Sequence, residues 1–189
     1  MFHPKKPSDR KDRVRRQAGQ VLIESIVSIS LITVGLLGVL SLLSNSIAYN
    51  RGVTNKFIAT YLAAEGIEVV KNIEDANFGD RLTDNTVAWN RYLDTNGSYE
   101  LQYDSVPSLA SGLVNIGDLT VYSSRPLLFN PSTGIYSYDS GQTTGFTRTV
   151  RVSNLNFDEI QVNSIVQWTE NGSAKQINVE DHFFYWRTY

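Results

Sequence analysis

The hydrophobic positions of this chain obey three different rules in succession. From Val21 to Leu43 apolar residues run almost unbroken, mainly Ile, Val and Leu diluted by Ser, Thr and Gly, and Glu24 is the only charge before Arg51. A run of this length and composition predicts a helix that is apolar on every side and long enough to cross a bilayer. From Ala48 to Asp75 the apolar residues recur three or four apart, with Val53, Phe57, Tyr61 and Ala64 in one file and Ile58, Leu62, Val69 and Ile73 in another. Arg51, Lys56, Glu65, Glu68 and Lys71 fill the remaining surface. This spacing predicts an amphipathic helix whose wide apolar face, both files included, is core. No proline lies between Pro7 and Pro107, so the two stretches read as one helix that has ended by Gly79 and Asp80.

Beyond residue 80 the period falls to two. Short alternating runs at Tyr99–Tyr103, Leu119–Tyr122, Gly134–Tyr138, Phe146–Val152, Ile160–Trp168 and Gln176–Trp186 predict strands. The last two flank Glu170-Asn171-Gly172-Ser173, and Asn-Gly is the preferred pair of a type I′ hairpin turn. Val150, Val152, Val162, Ile165 or Val166, Trp168, Ile177, Val179 and Phe183 supply apolar residues for one sheet face, which can cover the outer half of the helix. The stretch from about Ser105 to Gly145 is rich in Ser, Gly and Asn and reads as loops, in which Tyr122, Phe129, Tyr136 and Tyr138 pack locally. The fold class is therefore α+β: a long N-terminal helix packed by its second half on an antiparallel sheet.

Charge sharpens the membrane reading. The net charge of the whole chain is only −2, but residues 1–19 carry seven basic residues (Lys5, Lys6, Arg10, Lys11, Arg13, Arg15, Arg16) and two acids. The remainder carries ten basic residues and 17 acids. A basic block directly before an apolar run places that block in the cytoplasm and everything after about Asn50 outside. The organisation expected is a basic leader over 1–19, a helix over 20–78 (transmembrane about 21–43, amphipathic about 48–75) and a β-rich extracytoplasmic domain over 79–189.

The junction itself reads Gly19-Gln20-Val21-Leu22-Ile23-Glu24. A carboxylate at the bilayer centre costs about 2.5–3.5 kcal/mol or more, so Glu24 either lies near the cytoplasmic interface or has a partner. A basic leader ending in glycine, a glutamate at the fifth position after it and an uninterrupted apolar helix together resemble the signal of type IV prepilins and pseudopilins. The stretch Ala59–Glu68, together with Gly35-Leu36-Leu37-Gly38, is similar to a minor-pilin subgroup. The resemblance implies a ladle-like pilin fold and cleavage between Gly19 and Gln20 by a membrane-embedded prepilin peptidase, which also methylates the new amino terminus. It further implies that Glu24 acts in assembly and that Gly35 and Gly38 give the helix flexibility. The partners implied are the peptidase/methyltransferase, other pilin subunits, the assembly platform and the membrane. The family usually has Phe or another apolar residue where this chain has Gln20. Ser46-Ile47-Ala48 resembles an ordinary signal-peptidase site, but the apolar run before it is longer than a secretory core.

Candidate chemistry is sparse. Cysteine is absent, and the histidines are His3 and His182. That excludes disulfides, thiolate sites and imidazole clusters. No serine lies in G-x-S-x-G, and no phosphate loop or H-E-x-x-H occurs. The acid pairs Asp158-Glu159 and Glu180-Asp181 read as turn-flanking or solvent-facing, and Asp118, Asp139 and Asp158 match no calcium-loop spacing. An acidic body does not suit nonspecific nucleic-acid binding. No catalytic residue, metal or cofactor is expected. The function expected is a structural subunit of a type IV pilus or related filament. The alternatives are a pseudopilin of a secretion or DNA-uptake system and a membrane-anchored binding module that keeps residues 1–19 and never polymerises.

Overall fold

The computed structural model describes residues 8–105 and 119–186, with side chains from Gly19 onward. Asp118 and the first seven residues of the basic leader fall outside that range. Two compact units emerge, residues 1–51 and 52–189. Among the described residues one helix, α1 (Ser8–Arg81), supplies the regular structure of the first and the opening element of the second.

Helix α1 exceeds its expected bounds at both ends. It begins within the leader, where residues 8–19 contain good helix formers and no proline. It continues to Arg81 because Phe78 and Asn77 are drawn into the core; the Asn77 amide donates to the carbonyls of Trp89 (3.2 Å) and Arg91 (2.7 Å).

The second unit is a six-stranded antiparallel sheet with α1 across one face. The strands are β1 (Gly97–Tyr99), β2 (Pro126–Asn130), β3 (Ile135–Ser137), β4 (Gln142–Asn156), β5 (Glu159–Glu170) and β6 (Ser173–Phe184). Their order is β3-β2-β4-β5-β6, and β1 shares an edge of β4 with β2. The predicted Asn-Gly hairpin forms as read: Glu170 pairs with Ser173, and Asn171 and Gly172 both take positive φ (50° and 75°). Strand β3 falls on the predicted run Gly134–Tyr138, whereas β2 lies in the stretch expected to be loops. Proline opens β2, and the register with β4 shifts between Pro126 and Leu128, so the strand escapes an alternation test. Phe129 and Tyr136 pack against each other there, with ring centroids 4.9 Å apart.

The helix runs along the sheet opposite in direction to β5. Gly52 lies against the Glu170 side chain, Gly66 against Ser164 and Val150, and Arg81 donates to the Tyr185 hydroxyl (2.8 Å). Its sheet side carries Ala59, Leu62, Ala63, Gly66, Val69, Val70 and Ile73, all buried. Beneath them lie two apolar clusters. One is built on Val150, Val152, Ile160 and Val162, the other on Leu127, Phe146, Val166 and Trp168. Between these clusters on the inner sheet face is a polar layer of Arg148 and Ser164, both fully buried. Arg148 donates to the Leu62 carbonyl (2.9 Å) and to the Leu101 carbonyl, and its guanidinium lies 3.3 Å from the Glu65 carboxylate. It thus ties helix, sheet and the segment after β1 at one point.

The file Val53, Phe57, Tyr61 and Ala64 does not join this core. At 100° per residue it lies about opposite Ala59, Leu62, Gly66 and Ile73. Phe57 and Tyr61 are 61% and 74% exposed. The expectation that both files are core holds only for the file containing Leu62, Val69 and Ile73.

Candidate functional site

The residues singled out at the junction fall on the helix of the first unit. Gln20, Ile23, Glu24 and Val27 recur at three- and four-residue spacing, so they share one face, with Gly19 and Ser28 beside them. The Gly19–Gln20 peptide bond lies inside α1, with helical turns on both sides. A peptidase acting there must unwind this turn, which the Cβ-free Gly19 makes easier. Gly35 and Gly38 are ordinary helical positions, and a side chain at either would meet nothing within 4 Å.

From Val21 to Leu43 every large apolar residue is at least half exposed. The helix is long and apolar enough to cross a membrane, and nothing in its own unit covers it. Three of its hydroxyls suit lipid: Ser25 donates to the Val21 carbonyl (2.8 Å), Ser30 to Ile26 (2.8 Å) and Thr33 to Ile29 (2.7 Å). Each satisfies its polar hydrogen within the helix, as an environment without water requires. Glu24 is left as the one charged side chain of this surface.

In the second unit the polar clusters are internal ties. The Glu100 carboxylate, buried at its side chain, accepts from the Ser123 N–H (2.8 Å) and hydroxyl (3.0 Å), and from the Arg125 N–H (3.2 Å) and Nε (2.6 Å). Burial pushes its carboxyl up, but these donors outweigh that and hold it below the ordinary range. Arg125 also stacks over the half-buried Tyr138, whose phenol is pushed up to about 12 by desolvation and donates to the Arg148 carbonyl (3.1 Å). Together these contacts pin residues 119–125 and the end of β3 to the sheet.

His182, on the outer face of β6, has Glu159 Oε1 2.8 Å from Nδ1 and Glu180 Oε1 3.4 Å from Nε2. Its partners come from the strand pairing, which the bare sequence did not reveal; the acid pairs were read as solvent-facing. Asp139 accepts from Gln102 (2.6 Å) near the start of β4, whereas Asp158 follows its far end, so the two do not converge. Among the described residues no group of three or more acids and histidines is placed to hold a metal ion. No protein-family model, curated protein or solved structure matches the chain.

Proposed function

We propose that the chain is the precursor of a filament subunit, a type IV pilin or a pseudopilin of the same build. In this reading residues 1–19 stay in the cytoplasm, the helix after Gly19 is held in the membrane, and the β-rich unit lies outside. Cleavage after Gly19 frees Gln20 as the new amino terminus, and subunits then assemble through their helices. The observation that carries the reading is the uncovered apolar surface of α1. It begins directly after a basic block and bears Glu24 as its only charge up to Leu43, and the other unit has an exposed apolar file of its own on α1, Val53, Phe57 and Tyr61. A lone membrane anchor has no use for apolar residues on the solvent side of its outer half, whereas a helix that leaves the membrane to pack among copies of itself does.

The chemistry of assembly follows from two charges. A freed Gln20 amine, with an ordinary value near 8, is largely cationic at neutral pH. The Glu24 carboxylate of a neighbouring copy is the matching anion. In a low-dielectric bundle each offsets the cost of burying the other, and their pairing sets the stagger between subunits. The rival reading, an uncleaved membrane-anchored binding module, draws on the unbroken helix across Gly19–Gln20.

The test is the amino terminus of the chain co-expressed with a prepilin peptidase, read by mass spectrometry. The expected terminus is Gln20, with 14 Da added if it is methylated, and Gly19→Leu abolishes the cut. A retained Met1 terminus supports the anchored module, and a terminus at Tyr49 means a secreted domain; either overturns the filament reading.

A further inference from the structure

We infer that the free edge of β6 is a self-pairing surface, where a second copy of this chain adds its own β6 antiparallel about a twofold axis at Asn178. The sheet has very unequal edges. One is closed by β3, three residues long, while the other is the full twelve residues of β6, with no strand on its outer side among the described residues. Long open edges are pairing templates that proteins guard with charge, proline or bulges. Here the middle of the strand, Gln176-Ile177-Asn178-Val179, carries none of these. It pairs with β5 in unbroken register from Glu170↔Ser173 to Glu159↔Phe184.

The register decides which groups are free. Glu170 and Ser173 close a two-residue hairpin, and hydrogen-bonded pairs alternate from there. The odd-numbered residues of β6 therefore bond to β5, and the even-numbered ones, from Ala174 to Phe184, turn N–H and C=O outward. The His182 N–H fits this parity, since it is taken not by β5 but by the neighbouring Asp181 carboxylate (2.9 Å).

Charge then selects one alignment. Antiparallel pairing of two outward edges sets even against even, so the alternatives differ by steps of two. With Asn178 opposite itself, Lys175 faces Asp181 of the second copy, twice by symmetry, Gln176 faces Glu180, and Ala174 faces His182. No like charges meet. A step in one direction sets Lys175 against Val179, and a step in the other sets Lys175 against Phe183 and Ile177 against Asp181. Both lose the two cross-strand ion pairs. The contact is isologous and joins copies running in opposite senses. If the chain also forms polar filaments, whose subunits all run one way, this surface links subunits of different filaments. The inference itself rests on the sheet alone, so its test is independent of cleavage at Gly19.

The absence of cysteine from the chain makes the test clean. Asn178→Cys is introduced into the full chain in detergent micelles and mildly oxidised. Opposed Cα atoms of a hydrogen-bonded pair are about 5.5 Å apart, within disulfide reach. Gln176→Cys, on the same face, is the control, because its copies would be about 14 Å apart. The expected result is a disulfide dimer for Asn178→Cys and at least tenfold less for Gln176→Cys. Adding Lys175→Asp to Asn178→Cys lowers the dimer yield severalfold, and adding Asp181→Lys to that variant restores it. Equal cross-linking at both cysteines, no dimer from Asn178→Cys, or failure of the charge swap to restore it overturns the proposal.

Discussion

The imidazole of His182 has a carboxylate on each ring nitrogen, so its charged form has two acceptors and its neutral form keeps one donor for them. The hydrogen bond to Glu159, followed by that to Glu180, raises its pKa above the ordinary 6.5. Glu180 is held below its ordinary 4.5 first by the Asn163 amide and then by Gln161 and His182. The signs are opposite, and together they define a window. A raised histidine contributes its full stability below 6.5 and loses it as pH rises through the raised value. A depressed carboxylate contributes fully above 4.5 and loses it as pH falls through the lowered value. The stability difference between the wild-type chain and His182→Gln is therefore expected to be greatest near pH 5–6 and to shrink above neutrality. Denaturant unfolding of both chains across this range checks it; a flat difference would mean that the ion pairs contribute nothing. None of this was visible in the sequence, where His182 was a lone imidazole in a strand. Turn residues behave differently. Asn171-Gly172 was readable because the left-handed conformation is a property of those two residues alone, whereas the surroundings of His182 depend on a register between residues 23 apart.

Elements were legible where one period persisted and opaque where it did not. The apolar run, the helix beyond it and the β5–β6 hairpin all carry enough turns or alternations to outweigh local noise. Strand β2 was missed because five residues beginning with Pro126 and ending with Asn130 look like a turn region, and only pairing with β4 makes them a strand. The two faces of α1 were merged for a related reason. Periodicity tells which residues share a file but not which file meets the sheet, and from Val53 to Ala64 both sides are apolar. Arg148 ties the helix to the sheet; the alternation of Phe146, Val150 and Val152 puts it on the inner face, but its charge gives no sign that it is fully buried there. Its removal should be felt as loss of a joint between elements. Arg148→Ala leaves a cavity, an orphaned Leu101 carbonyl and an unpaired Glu65, and is expected to cost about 3–5 kcal/mol. Arg148→Met keeps most of the volume, and Glu65, about one third exposed, returns to water, so the cost is expected to fall to about 1–3 kcal/mol, set by the orphaned carbonyl. Urea unfolding of the three chains measures both; equal costs would show that the charge contacts, not the packing, dominate.

For the molecule as a whole, three apolar surfaces must find partners, and only one is satisfied within its own unit. The sheet face of α1 is buried on β4 and β5, while the segment from Val21 to Leu43 and the file at Phe57 and Tyr61 are covered by nothing in their own units. Lipid can cover the former, but Phe57 and Tyr61 belong to the unit that carries the sheet. Under the filament reading both surfaces meet other copies of the helix, and Glu24 is the residue that makes that transfer conditional. In lipid its carboxylate costs stability without a partner, and in the bundle it gains one only at the correct stagger. Glu24→Ala is therefore expected to insert in the membrane at least as well as the wild type and to be cut after Gly19 as before. Its yield of sheared filaments is expected to fall about tenfold or more, the consequence of losing roughly 1.4 kcal/mol or more per subunit contact. Glu24→Asp, which keeps the charge on a shorter arm, should recover part of that loss. Normal filament yield from Glu24→Ala, with processing intact, would separate the two claims: the cut would stand, and the pairing of Glu24 with the freed Gln20 amine would fall.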